Sequence, residues 1–271
     1  MLGILAFVAG TLLLLGLLCD FLLTTIGAIA RPILSGLVAR RVFGGLRALH
    51  GALAPGRAAD MVQAVAGTAV MAGVGLFWIV GFSAAWTLIY LSGGPAVTVE
   101  DASPDAAAGL VDIWAHVGHL LSTLGGATTA PTDTVWNAVG VLVGITGMVV
   151  LTLAVSFILA TTQTVVRGRA MTRLVRLDQD VEPAALSDLV EALRASPFAA
   201  FYSHPEEVLG VPAALHRLAE RGMAGGDGPL IRAMLSDLPE FEAPSTSAPD
   251  TAFLSSLSEW CARFMMEPPP R

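Results

Sequence analysis

The hydrophobic pattern along the chain resolves into three uncharged stretches, each long enough to cross a bilayer as a helix, which takes about 20 residues. The first runs from Met1 to Cys19, and its apolar character continues past Asp20 to Ala30. The second runs from Met61 to Val99 and the third from Thr134 to Val166. At ~1.5 Å per residue the third would measure ~50 Å, longer than the ~30 Å hydrocarbon core, so it must tilt or continue into water. After Arg176 the pattern becomes that of a soluble helical domain. Pro183 opens a helix to about Ser196, with Asp180 or Glu182 in the capping region. Ser203–Glu207 reads as another helix start, with Glu206 and Glu207 at the positive helix end. The Gly222–Gly228 run separates that helix from a short one through Arg232. Pro239–Asp250 reads as a linker before a last amphipathic helix, Thr251–Met266.

Composition turns these stretches into a class. Of 271 residues 54% are apolar and only 14% charged, against about 25% charged in an average soluble chain; mean hydropathy is +0.70. This balance excludes a disordered protein, a nucleic-acid binder and an ordinary cytosolic enzyme. The chain has no lysine, and its arginines are segregated. Arg31, Arg40, Arg41, Arg47 and Arg57 separate the first two stretches, and Arg167, Arg169, Arg173 and Arg176 follow the third. Gly93–Asp133 has no arginine and holds Glu100, Asp101, Asp105, Asp112 and Asp133. The positive-inside rule therefore places the N-terminus outside, the acidic segment outside and the C-terminus in the cytoplasm. Because the arginines follow the first apolar run instead of preceding it, that run reads as an uncleaved anchor and not a signal peptide. Trp86 and Tyr90 fit an aromatic belt near the outer end of the second helix. Cys19 and Cys261 are far apart and match no metal spacing, so no disulfide is expected.

The external segment carries the functional signal. Asp112–Ser122 reads as an apolar helix too short to span, followed by Thr123-Leu124-Gly125-Gly126-Ala127-Thr128-Thr129-Ala130-Pro131 and then the third long helix. A half-length helix with a Gly-rich extended return is tolerated at membrane depth only where protein or water surrounds it. That is the pattern of a re-entrant pore loop.

At these residues the chain resembles the pore module of the potassium-channel superfamily, in its bacterial forms with two pore-flanking helices. The family's filter commonly reads Thr-Leu-Gly-Tyr-Gly-Asp with a proline three residues on. Thr123, Leu124 and Gly125 match it, and Pro131 falls at the family's spacing. Gly147, 22 residues after Gly125, occupies the place of the family's inner-helix hinge glycine. The resemblance covers about Met61 to Arg169. It implies a selectivity filter at Thr123, Leu124, Gly125, Gly126 and Ala127, a homotetramer with each chain supplying one quarter of the filter, and a bacterial plasma-membrane location. Gly126 replaces the family's aromatic, Ala127 its second glycine and Thr128 its aspartate. The family's carbonyls replace the ion's hydration shell, and glycines turn them cheaply, whereas alanine in a left-handed conformation costs ~1 kcal/mol or more. Potassium selectivity therefore does not carry over.

Further candidates accompany the filter. Asp112, His116 and His119 share one helical face, and such groups bind zinc or sense external protons, although a complete zinc site needs a fourth ligand. The alternative is a polar face of the pore helix. Thr152, Ser156 and Gln163 share a stripe that would line a lumen, unless the hydroxyls bond back to their own backbone. Asp20, an ionisable group at the inner end of the first helix, is expected at the interface. The Arg167–Arg176 cluster would touch anionic lipid heads or serve simply as a positive-inside anchor. His204, His216, Glu206 and Glu207 form no triad or metal spacing, and Ser203 lacks a Gly-x-Ser-x-Gly context.

The expectation is thus an all-α integral membrane protein: three transmembrane helices plus a re-entrant pore helix and filter loop, with a helical cytoplasmic C-terminal domain. Its segments are an N-terminal helix (1–30), a basic cytoplasmic loop (31–60), a pore module (61–170) and the cytoplasmic domain (171–271). The expected function is a weakly selective, homotetrameric cation channel with no enzymatic activity and no cofactor. Its partners would be its own copies, membrane lipids and permeant potassium or sodium, with no nucleic acid. The alternative is a non-conducting structural or signalling membrane protein that keeps the pore-like fold.

Overall fold

The computed structural model describes residues 1–26, 32–99, 108–124, 129–204, 210–245 and 247–266. Among them the chain is helical apart from one small ladder. The helices are α1 (Leu2–Thr25), α2 (Leu34–Ala52), α3 (Arg57–Leu91), α4 (Leu110–Leu121), α5 (Thr134–Arg176), α6 (Pro183–Ala195), α7 (Val211–Gly225), α8 (Gly228–Leu235) and α9 (Asp250–Ala262). A single 3₁₀ turn covers Pro197–Phe201. Strands β1 (Val97–Val99) and β2 (Thr129–Pro131) pair antiparallel, Val97 opposite Pro131 and Val99 opposite Thr129. Three helices, α1, α3 and α5, are long and apolar enough to cross a membrane, which marks a membrane protein.

Several boundaries depart from the sequence reading, for physical reasons. The segment expected as a basic loop holds α2. Ser35, Ala39 and Phe43 recur at helical spacing and are all buried, enough to fold one face. Helix α5 runs through the arginine cluster for 43 residues, about 65 Å. Helix α7 opens at Val211 with Pro212 in its first turn, not at Ser203–Glu207, and residues 205–209 lie outside the described set. Helix α9 stops at Ala262, short of Met266, where the Arg47 guanidinium donates hydrogen bonds to the carbonyls of Ala262 (2.8 Å) and Arg263 (3.0 Å). A cation on the orphan carbonyls of a helix C-terminus satisfies both their hydrogen bonding and the dipole.

The described residues divide into two compact units. The first comprises Met1–Ile26, the stretch ending at Ser35, and Val74–Ser156. At one end of it Phe21 meets Trp78 edge-on at 4.8 Å and Phe82 at 5.9 Å. At the other, Trp86, Ile89 and Tyr90 of α3 pack with Ile113 and Val117 of α4 and Val143 of α5. Trp86 and Tyr90 are therefore core residues and not an interfacial belt. Aromatics one turn from a helix end suit either role, and it is the packing of α4 that covers them.

The second unit comprises Gly36–Gly73 and the chain from Phe157 onward. Its aromatic core joins Phe43 to Phe201 (5.2 Å), Phe201 to Phe264 (5.0 Å) and Phe157 to Phe198 (5.4 Å). Helix α7 secures the end of α5, since Arg221 donates to Val175 O at 2.8 Å and pairs with Asp178 at 2.6 Å.

Candidate functional site

Helix α4 is fixed at both ends by its own residues. Asp112 accepts the Gly109 N–H at 2.8 Å, so its carboxylate already serves the first turn of the helix. At the other end Thr123 N–H bonds Leu120 O and Leu124 N–H bonds His119 O, both at 3.1 Å. With Thr123 at φ 61° this is a Schellman stop, unusual because a β-branched residue holds the left-handed position. Its hydroxyl donates to Ser122 O at 2.6 Å. Leu124 is exposed, and Gly125, Gly126 and Ala127 lie outside the described residues, as does Thr128.

The chain on both sides of α4 is anchored near the start of α5. β1 and β2 pair, Thr132 N–H bonds Ala96 O at 3.1 Å, and Tyr90 stacks on Trp136 at 5.1 Å. The C-terminal end of α4 lies further along α5. Leu120 reaches Gly140, and the Leu121 backbone lies against Gly147, where an added Cβ would sit 2.7 Å from the Leu121 carbonyl carbon. Gly147 is about 20 Å along α5 from Thr134. Helix α4 thus lies beside α5, its C-terminal end well along α5 from the level at which β1 and β2 pair. Gly147, expected as a hinge, is a position where the main chains of α5 and α4 come close.

His116 ties α4 to β2. Its Nδ1 lies 2.9 Å from Thr129 Oγ1, and its ring meets Tyr90 edge-on at 5.4 Å. Asp112, His116 and His119 share an element but not a task, and among the described residues no three His, Cys, Asp or Glu side chains group as metal ligands.

On α5, Thr152, Ser156 and Gln163 are exposed. Thr152 donates to Met148 O at 2.8 Å and Ser156 to Thr152 O at 3.1 Å, so both hydroxyls bond back into their own helix and leave lone pairs outward.

Asp20 is the residue whose duty the sequence did not disclose. It is 5% exposed, and its carboxylate accepts the Leu34 N–H (2.7 Å), the Ser35 N–H (3.0 Å) and the Ser35 hydroxyl. The Trp78 indole donates to Ser35 Oγ at 3.0 Å. Asp20 therefore caps the N-terminus of α2 from within α1. The signal was an acid inside an apolar run, but its partners lie 14 and 15 residues on, in a segment read as a loop.

No protein-family model, curated protein or solved structure matches this chain.

Proposed function

We propose that this chain is the subunit of a homotetrameric cation channel, with its N-terminus outside and its C-terminus in the cytoplasm, and that it is not an enzyme. The observation that carries the reading is the approach of the C-terminal end of α4 to Gly147, together with the pairing of Thr129 with Val99. If α3 and α5 span the bilayer, the segment between the strands is a half-helix and loop at membrane depth. Unpaired backbone there costs several kcal/mol per group in lipid. Four copies around an axis would instead turn residues 123–127 toward a common water-filled lumen. Thr152, Ser156 and Gln163 would line its inner half, and Gly147 would be where a bend of α5 is felt directly by α4. The permeant ion would be potassium or sodium.

One observation favours the second reading, a non-conducting membrane protein with a pore-like fold. The Thr123 hydroxyl is committed to Ser122 O and its backbone to a helix stop, whereas ion coordination needs these groups turned to the axis. Mass measurement in mild detergent and flux into proteoliposomes separate the two. Four chains with cation flux support the channel; four chains silent over a range of pH and voltage support the second reading, and a stable, active monomer sinks both.

A further inference from the structure

Helix α2 has the wrong outer face for a helix in water. Its inner face is Ser35, Ala39 and Phe43, all buried. Its outer face presents Leu34, Leu37, Arg41, Gly44, Gly45 and Ala48, all exposed. A surface helix of a soluble domain is polar on that side. Here two leucines and three small residues surround a single arginine, and Leu49 at the edge is 50% exposed.

The charge around this face has one sign. Between Arg31 and Ala59 the sequence holds Arg31, Arg40, Arg41, Arg47 and Arg57 and no Asp or Glu. Arg40 pairs with Glu240 at 3.0 Å, and Arg47 is spent on the carbonyls ending α9. Arg41 and Arg57 are exposed, and neither has a partner among the described residues.

The position of α2 in the chain limits what can cover it. It is joined to α1 on one side and α3 on the other, both long and apolar enough to span a membrane. Its first amides are bonded to Asp20, which precedes the end of α1 at Thr25. Helix α2 therefore begins beside the last turns of α1 instead of trailing into water. An amphipathic, arginine-bearing helix that starts there, between two helices long and apolar enough to span, is suited to the headgroup and acyl boundary. A second copy of the same face is disfavoured, because it would bring arginine against arginine with no acid between them.

We infer that the outer face of α2 rests on anionic phospholipid headgroups, with Leu34, Leu37 and Ala48 in the acyl boundary and Arg41 on phosphate. The inference rests on α1 and α3 spanning the membrane and is independent of conduction.

The test places single nitroxide labels at Leu37→Cys and Ala48→Cys, in a background with Cys19→Ala and Cys261→Ser. The protein is held in nanodiscs of phosphatidylcholine with or without phosphatidylglycerol. Both labels should be reached by oxygen and shielded from a water-soluble nickel chelate, more so with phosphatidylglycerol present. A Val8→Cys label on α1 reports the spanning reading separately. Retention of phosphatidylglycerol over phosphatidylcholine on release into the mass spectrometer should fall about fivefold in Arg41→Gln, the fold-change for one arginine at an anionic surface. Free access of the chelate to positions 37 and 48 overturns the inference. So does shielding from both colliders with spin–spin broadening, which would mean a neighbouring chain. An unchanged lipid preference in Arg41→Gln overturns the headgroup contact.

Discussion

A side chain at position 147 would collide with main chain, not with a movable rotamer. The Cβ of an alanine there would lie 2.7 Å from the Leu121 carbonyl carbon and 2.8 Å from its Cα, and closer still to the carbonyl oxygen. Gly147→Ala should therefore cost about 1–3 kcal/mol of overpacking, read as a lower melting temperature in detergent. Gly140→Ala meets only Leu120 Cδ1 and Tyr90 Oη at 3.5 Å, so it should be neutral or slightly stabilising through helix propensity. Equal losses at both positions would refute the assignment.

At the scale of elements, the first residues of α2, Leu34 and Ser35, are held by the Asp20 carboxylate. Removing it in Asp20→Ala strips the Leu34 and Ser35 amides of their acceptor and leaves the Ser35 hydroxyl to Trp78 alone. A lost cap of this kind costs about 0.5–2 kcal/mol, and more where the orphaned groups are buried. Hydrogen exchange at the Leu34–Val38 amides should accelerate about tenfold or more in Asp20→Ala, with Asp20→Asn retaining part of the protection. Unchanged exchange would mean that α2 is held by its buried face alone. This element also shows how much of the fold was open to reading. Helix α4 was legible as Asp112–Ser122 and is Leu110–Leu121, because an apolar run of that length between acids has few other solutions. The spans were legible because hydropathy over about 20 residues is a strong signal. Helix α2 was not, since its arginines and glycines read as a loop until Ala39 and Phe43 find neighbours. The strands, three residues each, were also out of reach, because pairing of Val97–Val99 with Thr129–Pro131 depends on the segment between them returning to its start. The proposed filter segment rests on resemblance, and only Thr123 and Leu124 of its five positions fall among the described residues.

At the scale of the whole molecule, the question is how four such chains would treat two monovalent cations. Discrimination between potassium and sodium requires a defined ring of carbonyl dipoles, whether cavity size or field strength is the deciding factor. Three features of this chain work against one. Gly126 offers no side chain to brace the ring, Ala127 resists the left-handed backbone that a glycine accepts at ~1 kcal/mol less, and Thr128 places no carboxylate at the outer mouth. The geometry at the inner end adds a fourth. Thr123 holds φ 61° with its hydroxyl on Ser122 O, so a conducting tetramer would have to undo a helix stop before this residue faced an ion. That stop is strained, because a β-branched residue in the left-handed region is costly. Substitution separates selectivity from the resting state of the loop. Thr123→Gly should stabilise the stop by about 1 kcal/mol and reduce cation flux, if the stop and conduction compete. The unsubstituted chain, reconstituted under opposed potassium and sodium gradients, should give a reversal potential near zero when the two concentrations are equal and opposite. A potential close to the potassium equilibrium value would show that the carbonyl ring forms despite Gly126 and Ala127. Increased flux in Thr123→Gly would show that the left-handed stop is itself part of the open path.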